Sequence, residues 1–179
     1  MIERTFVTGF KSFGKILDNP SAILAEGSGR PFQTLEVAYR AVDDFLAGLA
    51  SATFDRLVML GVAGGRDRVT PELFARNSIG KTPDVRGYAP IGPISPTSQL
   101  LAEGNLWTQD QLSLILSENR HTAFSMDAGN YLCNYIYYQA LARFPEKQVG
   151  FVHVPTFEKL AAAYQTEILA SILSIVETA

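Results

Sequence analysis

The stretch RLVMLGVAGGR, residues 56–66, decides the reading of the fold: five residues, Arg56-Leu57-Val58-Met59-Leu60, run almost wholly apolar into the glycines of Gly61-Val62-Ala63-Gly64-Gly65-Arg66. A continuous apolar run closed by glycines suits a strand buried on both faces, as in a parallel sheet. Outward from it, QVGFVHV at residues 148–154 reads as a second buried strand. Residues 5–8 form a short β-branched and aromatic run that ends at Gly9, which makes a first strand. Helices fill the spaces between. Asn19 is the N-cap, Pro20 the first helical position and Gly27 the end of one helix. Val37, Ala41, Val42 and Phe45 recur at helical spacing within residues 35–49. Further helices are expected over 112–118, 131–144 and 159–177. Residues 122–125 read as a short strand, and 73–79 as either a strand or a short helix started by Thr70 and Pro71. Residues 81–96 carry four prolines and two glycines, so this segment is an ordered surface loop at best. Strands alternating with helices predict an α/β fold: a single domain, residues 1–179, with a mostly parallel twisted sheet and helices on both faces.

Composition narrows the function. The chain has 179 residues, 47% of them hydrophobic, which is enough for one sizeable core. Its 15 basic and 18 acidic side chains leave a net charge of -3, so no basic face is implied and nucleic acid is not an expected partner. No polybasic membrane anchor is present, and no stretch approaches the roughly 18 to 20 apolar residues of a membrane span. Glu3 and Arg4 stand where a signal peptide needs its apolar run, so a cytoplasmic chain is expected. A single cysteine excludes an intrachain disulfide and fits a reducing compartment. One Cys and two His make a zinc site of such ligands improbable.

In open α/β sheets, ligands bind beyond the carboxyl ends of the strands. Three such exits have unusual composition: GFKSFG after the first strand, GVAGGR after the central one, and His153 with Pro155 after the last. Cys133 lies in the first turn of a helix entered through DAGNYLCN. Helix N–H groups there favour negative charge, which is expected to lower a thiol pKa and to stabilise an oxyanion. Taken singly these residues establish nothing. A cysteine among Tyr and Leu is commonly a small buried hydrophobe, a histidine between valines a structural one, Glu72 a helix-start charge, and Phe10 and Phe13 core aromatics. One rival motif is explicit. Residues 9–15, GFKSFGK, match the start of a phosphate-binding loop, but Ile16 stands where a Ser or Thr should hold Mg²⁺, and the helix starts later, at Asn19 and Pro20.

In combination the pieces resemble the pyroglutamyl peptidase I (pyrrolidone carboxyl peptidase) family of cysteine peptidases along nearly the whole chain. The family's Gly-Phe-x-x-Phe-Gly loop followed by Asn-Pro-Ser corresponds to GFKSFG with Asn19, Pro20 and Ser21. Its Gly-Gln-Ala-Gly-Gly-Arg element corresponds to Gly61 to Arg66, and its catalytic glutamate to Glu72 of ELFARN. The nucleophile motif corresponds to Ala128-Gly129-Asn130-Tyr131-Leu132-Cys133-Asn134, and Phe-x-His-Val-Pro to Phe151 through Pro155. The chain departs at Val62, where the family has glutamine, and at Lys81-Thr82, where it has Arg-Ile. It is also one residue short between Asn77 and Lys81.

The resemblance implies release of an N-terminal pyroglutamyl residue from a peptide. Cys133 would be the nucleophile, His153 its base and Glu72 the residue that orients the imidazole. Phe10, Phe13, Val62, Thr82, Tyr131 and Leu132 would meet the lactam. It implies no cofactor, and the family's tendency to oligomerise leaves a homo-oligomer open. An amidase of different acyl preference and a non-catalytic binding relative on the same fold are the alternatives.

Overall fold

The structure is a computed structural model that describes residues 4–96 and 99–178. Its centre is a five-stranded sheet in the order β2-β1-β3-β7-β4. The strands are β1 (Thr5–Phe10), β2 (Phe32–Leu35), β3 (Arg56–Val62), β4 (Thr70–Glu72) and β7 (Gln148–Val154). Three of its four pairings are parallel; β4 alone runs antiparallel, against β7. A small two-stranded antiparallel sheet, β5 (Phe74–Arg76) with β6 (Leu101–Glu103), stands beside it.

Helices cover both faces, and alternation along the strands says which. Leu57, Met59, Val149 and Phe151 point to the face covered by α2 (Tyr39–Gly48) and α4 (Leu132–Arg143), with Val42, Phe45, Ile136 and Tyr137. Val58, Leu60, Val152 and Val154 point to the other, with Leu24 of α1 (Pro20–Gly27), Ile115 of α3 (Gln109–Glu118) and Ile168 and Ile172 of α5 (Ala162–Glu177). Residues 56–60 therefore read without alternation because both faces are covered. The side chains of Cys133, His153 and Glu72 lie on or beside the first face.

The expected α/β architecture holds, with local differences. The helix expected over 35–49 begins at Tyr39, because residues 32–35 join β1 as a parallel edge strand. Leu35 and Val37 face the same core as α2, which extends the apolar period past the true helix start. Residues 73–79 contribute β5, and 122–125 make only isolated bridges to Val69 and Glu72. Pro71 has no N–H for a ladder there, so the pairing stays broken. Helix α3 starts at Gln109, three residues before the expected 112, behind a capping box of Thr108 and Gln111. Helix α5 starts three residues after the expected 159.

Candidate active site

Two short segments hold the loop after β1. Asn19 caps α1 by accepting the Ser21 N–H at 3.0 Å, while its Nδ2 donates to the Lys11 carbonyl at 3.1 Å. Ser21 Oγ accepts the Phe10 N–H at 3.0 Å. Gly9 permits this contact, since a Cβ there would fall 2.1 Å from the Ser21 carbonyl oxygen. Between these anchors Gly14, at φ +56°, turns the chain so that Phe13 bridges to Ile16. Lys15 therefore sits in a tight turn ahead of α1, not at a helix N-terminus, and a phosphate-cradling loop is not formed.

Cys133 enters from above β3. Its helix starts at Leu132, and Tyr131 at the N-cap makes no side-chain cap bond, so the first N–H groups stay uncapped. The thiol packs so closely on β3 that a Cβ added at Gly61 would fall 2.6 Å from Sγ. Gly61 is paired in register with His153 of β7, which puts thiol and imidazole over adjacent strands. His153 lies two residues from Phe151, ring to ring at 4.9 Å. Phe151 is paired with Glu72. Register and the two-residue period thus put Cys133, His153 and Glu72 on one face, brought from α4, β7 and β4.

Glu72 is fully buried, and His153 Nδ1–H donates to its Oε1 at 2.6 Å. A carboxylate only accepts, so this bond leaves the lone pair on Nε2. Arg66 makes an ion pair with the same Glu72 oxygen at 2.5 Å. Burial lowers the His153 pKa below its ordinary 6.5; the Glu72 bond and charge oppose this and Arg66 adds to it. The Cys133 thiol is raised from 9.0 to about 12: burial contributes most and Glu72 adds to it, while Arg66 and the residue's own N–H pull it back. The expected lowering by the helix N-terminus is therefore overturned. Desolvation of an enclosed sulfur outweighs the dipole. The resting pair is a neutral thiol beside a neutral imidazole.

Phe10, Phe13, Asn19, Val37, Val62, Tyr131, Leu132 and Cys133 line a cavity of about 50 Å³. Its walls are mainly apolar, with the sulfur at one side. Thr82 is exposed and outside this lining, as is Lys81. The nearby loop meets the site differently: Tyr131 donates its hydroxyl to the Pro83 carbonyl at 3.0 Å. His121 is remote in environment, beside Arg120 and the Tyr164 ring. Sequence reasoning did not assign Asn19 or Val37 to the cavity or give Asn134 a task. Asn134, fully buried, accepts the Arg76 N–H at 2.7 Å and donates to the Arg76 and Ser78 carbonyls, which pins α4 to β5. Its place directly after Cys133 was the available signal.

A family model described as pyroglutamyl peptidase matches residues 3–175. The pyrrolidone-carboxylate peptidase of Halalkalibacterium halodurans is 31% identical over 175 residues, covering 89% of this chain and 87% of the relative. That of Levilactobacillus brevis is 29% identical over 166 residues, with 85% and 81% covered. Among solved structures, pyroglutamyl peptidase I of Bacillus amyloliquefaciens superposes with a TM-score of 0.89 at 23% identity, a likeness of fold, over 99% of this chain and 98% of that one. Pyrrolidone carboxyl peptidase from Thermus thermophilus gives 0.79 at 29% identity over 96% and 97%.

Proposed function

The chain belongs to the pyroglutamyl peptidase family, and from that premise we propose that it releases N-terminal pyroglutamate from peptides with Cys133, His153 and Glu72 as its catalytic apparatus. The observation that carries this reading is the 2.6 Å His153–Glu72 bond beside the thiol that closes on Gly61 at the wall of an apolar cavity.

The lactam ring enters the cavity between Phe10, Phe13, Val62 and Leu132, whose apolar walls receive its methylene face. His153 Nε2 takes the thiol proton as sulfur attacks the pyroglutamyl carbonyl carbon. The oxyanion forms near the uncapped N–H groups of α4, which are preorganised to receive it. Collapse breaks the C–N bond, and the imidazolium returns its proton to the departing amine. Water, deprotonated by the same nitrogen, then hydrolyses the thioester and frees pyroglutamate and the thiol. Glu72 holds the Nδ1–H tautomer through both halves. Because the resting pair is neutral, proton transfer accompanies attack.

The same reading takes residues 1–179 as one catalytic domain working in the cytoplasm on peptide substrates. Its single cysteine and balanced charge support this, and no helix among the described residues is long and apolar enough to cross a membrane. Assembly into a homo-oligomer rests on the family resemblance alone. The test is hydrolysis of a pyroglutamyl fluorogenic amide by purified protein and by Cys133→Ala. We expect turnover by the first and none above background by the second; equal rates would overturn the assignment.

A further inference from the structure

Arg66 closes the glycine-rich turn after β3, with its side chain 27% exposed. Its Nη1 sits 2.5 Å from Glu72 Oε1, the oxygen that also accepts His153 Nδ1–H. Its Nη2 donates to Ser125 Oγ at 3.2 Å and to the Asp127 carbonyl at 3.0 Å. Asp127 in turn accepts the Gly129 N–H through Oδ1 at 2.9 Å and pairs with Arg76 through Oδ2 at 3.1 Å. Gly129, at φ +83°, makes the turn that leads into Cys133. One guanidinium therefore touches the buried carboxylate on one side and the approach to the nucleophile helix on the other.

We infer that Arg66 is a positioning residue that locks the Glu72–His153 pair and the 125–129 segment into one frame, so that imidazole and thiol meet in register. The inference rests on the proposed Cys-His-Glu reaction. Two properties of Arg matter. Its planar fork can engage a carboxylate and two further acceptors at once, which a lysine ammonium cannot do in the same geometry. Its charge offsets that of Glu72, which is fully buried and would otherwise be left with the imidazole alone. The charged and titratable groups that face His153 are Glu72 from β4, Arg66 from the turn after β3, Asp127 from the segment before α4, and Cys133 from α4. Arg66 is the cation of this set. Without it the carboxylates favour the imidazolium, so the Glu72–His153 pair takes up its proton at higher pH.

A residue that merely stiffened the fold would change none of this. Its loss would lower the folded fraction and leave the pH dependence where it was. The experiment measures kcat and KM for a pyroglutamyl amide from pH 5 to 9 on the parent, Arg66→Gln and Arg66→Lys, with thermal melts. The His153 imidazole is titrated in parallel by NMR, which is tractable because the chain has two histidines. For Arg66→Gln we expect kcat to fall on the order of 10²-fold through misalignment. KM should stay within about threefold, since the acyl cavity is untouched. The acid limb and the His153 titration should both move up by about one pH unit. Arg66→Lys should restore the parental acid limb but only part of kcat. Parental positions of both the acid limb and the His153 titration in Arg66→Gln would overturn the inference, as would a kcat loss that matches the loss of folded protein. If Arg66→Gln does not fold, Arg66→Lys decides: a folded variant with parental limb and reduced kcat supports positioning, and parental kcat overturns it. An inactive parent sinks the reaction and this inference with it. An active parent with an indifferent Arg66→Gln sinks this inference alone.

Discussion

Cys133 has its place because residue 61 has no side chain. Gly61→Ala would put a Cβ 2.6 Å from Sγ and 2.7 Å from the Phe151 ring, both inside contact distance. Overpacking of this kind costs about 1–3 kcal/mol, and here it also displaces the Cys133 thiol. Urea unfolding and kcat should therefore fall together in Gly61→Ala; a variant with parental stability and turnover would show that the thiol is not seated as described. The thiol's environment makes a second prediction. With its pKa raised to about 12, chiefly by burial and then by Glu72, Cys133 should alkylate slowly at neutral pH and faster as pH climbs, without a plateau below pH 9.0. A plateau near pH 7 would reveal a preformed thiolate. The imbalance between the two histidines is as definite. His153→Ala should abolish turnover, because of the two histidines it is His153 that bonds Glu72, while His121→Ala, out beside Arg120, should keep nearly all of it. Steady-state rates of the two variants decide. His153 also has a stability signature. Its folded pKa lies below the ordinary 6.5, so the unfolded chain binds the proton more readily; its contribution is present above pH 6.5 and is lost as pH falls through the folded value.

At the scale of elements, α2 shows what a sequence hides. Its N-cap, Ala38, supplies no side-chain bond. The cap comes instead from Asp84, 45 residues on, which accepts the Tyr39 N–H at 3.0 Å. The same carboxylate accepts the Arg86 and Tyr88 N–H groups, and so ties the 81–96 loop down beside Tyr131 and the cavity. Burial of Asp84 works to raise its pKa, but these backbone N–H bonds and Arg86 outweigh it, and the pKa lies below 3.8. Asp84→Ala should cost about 1–2 kcal/mol, the range of a lost cap, and leave the cysteine chemistry in place. The check is a denaturant midpoint together with kcat; a stability loss within a few tenths of a kcal/mol would contradict the capping role. Local signals were read well where they act on neighbours: Asn19 and Pro20 start α1, and the apolar run at 56–60 is a strand. What escaped was pairing at long range. Residues 32–35 show no buried alternation, with Phe32 and Gln33 exposed and Leu35 buried, and become a strand because β1 offers an edge. Thr70-Pro71-Glu72 resembles a helix start until β7 captures it.

For the molecule as a whole, the sheet gathers a site from segments far apart in the chain. Parallel strands β1 and β3 deliver the cavity's floor at their carboxyl ends, β7 delivers His153, and the antiparallel β4 delivers Glu72 from the outer edge. Motif resemblance singled out Cys133, His153 and Glu72, and the fold brings the three together. Arg66 was legible as a residue of a motif but not as a partner of Glu72, since that contact depends on how the turn after β3 folds over β4. Lys81 and Thr82, departures from the family pattern, looked like changes to the pocket; both are exposed and outside the cavity's lining, while Val62 is part of it. The acyl wall is therefore less altered than the sequence suggested. That wall alone does not set specificity. A site that hydrogen-bonds the lactam carbonyl leaves those groups unpaired when proline enters, a penalty that reaches up to about 10⁴-fold. Apolar walls alone would not separate two rings of such similar size. The most direct test is kcat/KM for pyroglutamyl and prolyl fluorogenic amides on the parent, with Cys133→Ala as the blank. The account predicts turnover of the pyroglutamyl amide, strong discrimination against the prolyl one, and none of either by Cys133→Ala; equal kcat/KM for the two amides, or turnover that survives Cys133→Ala, would contradict it.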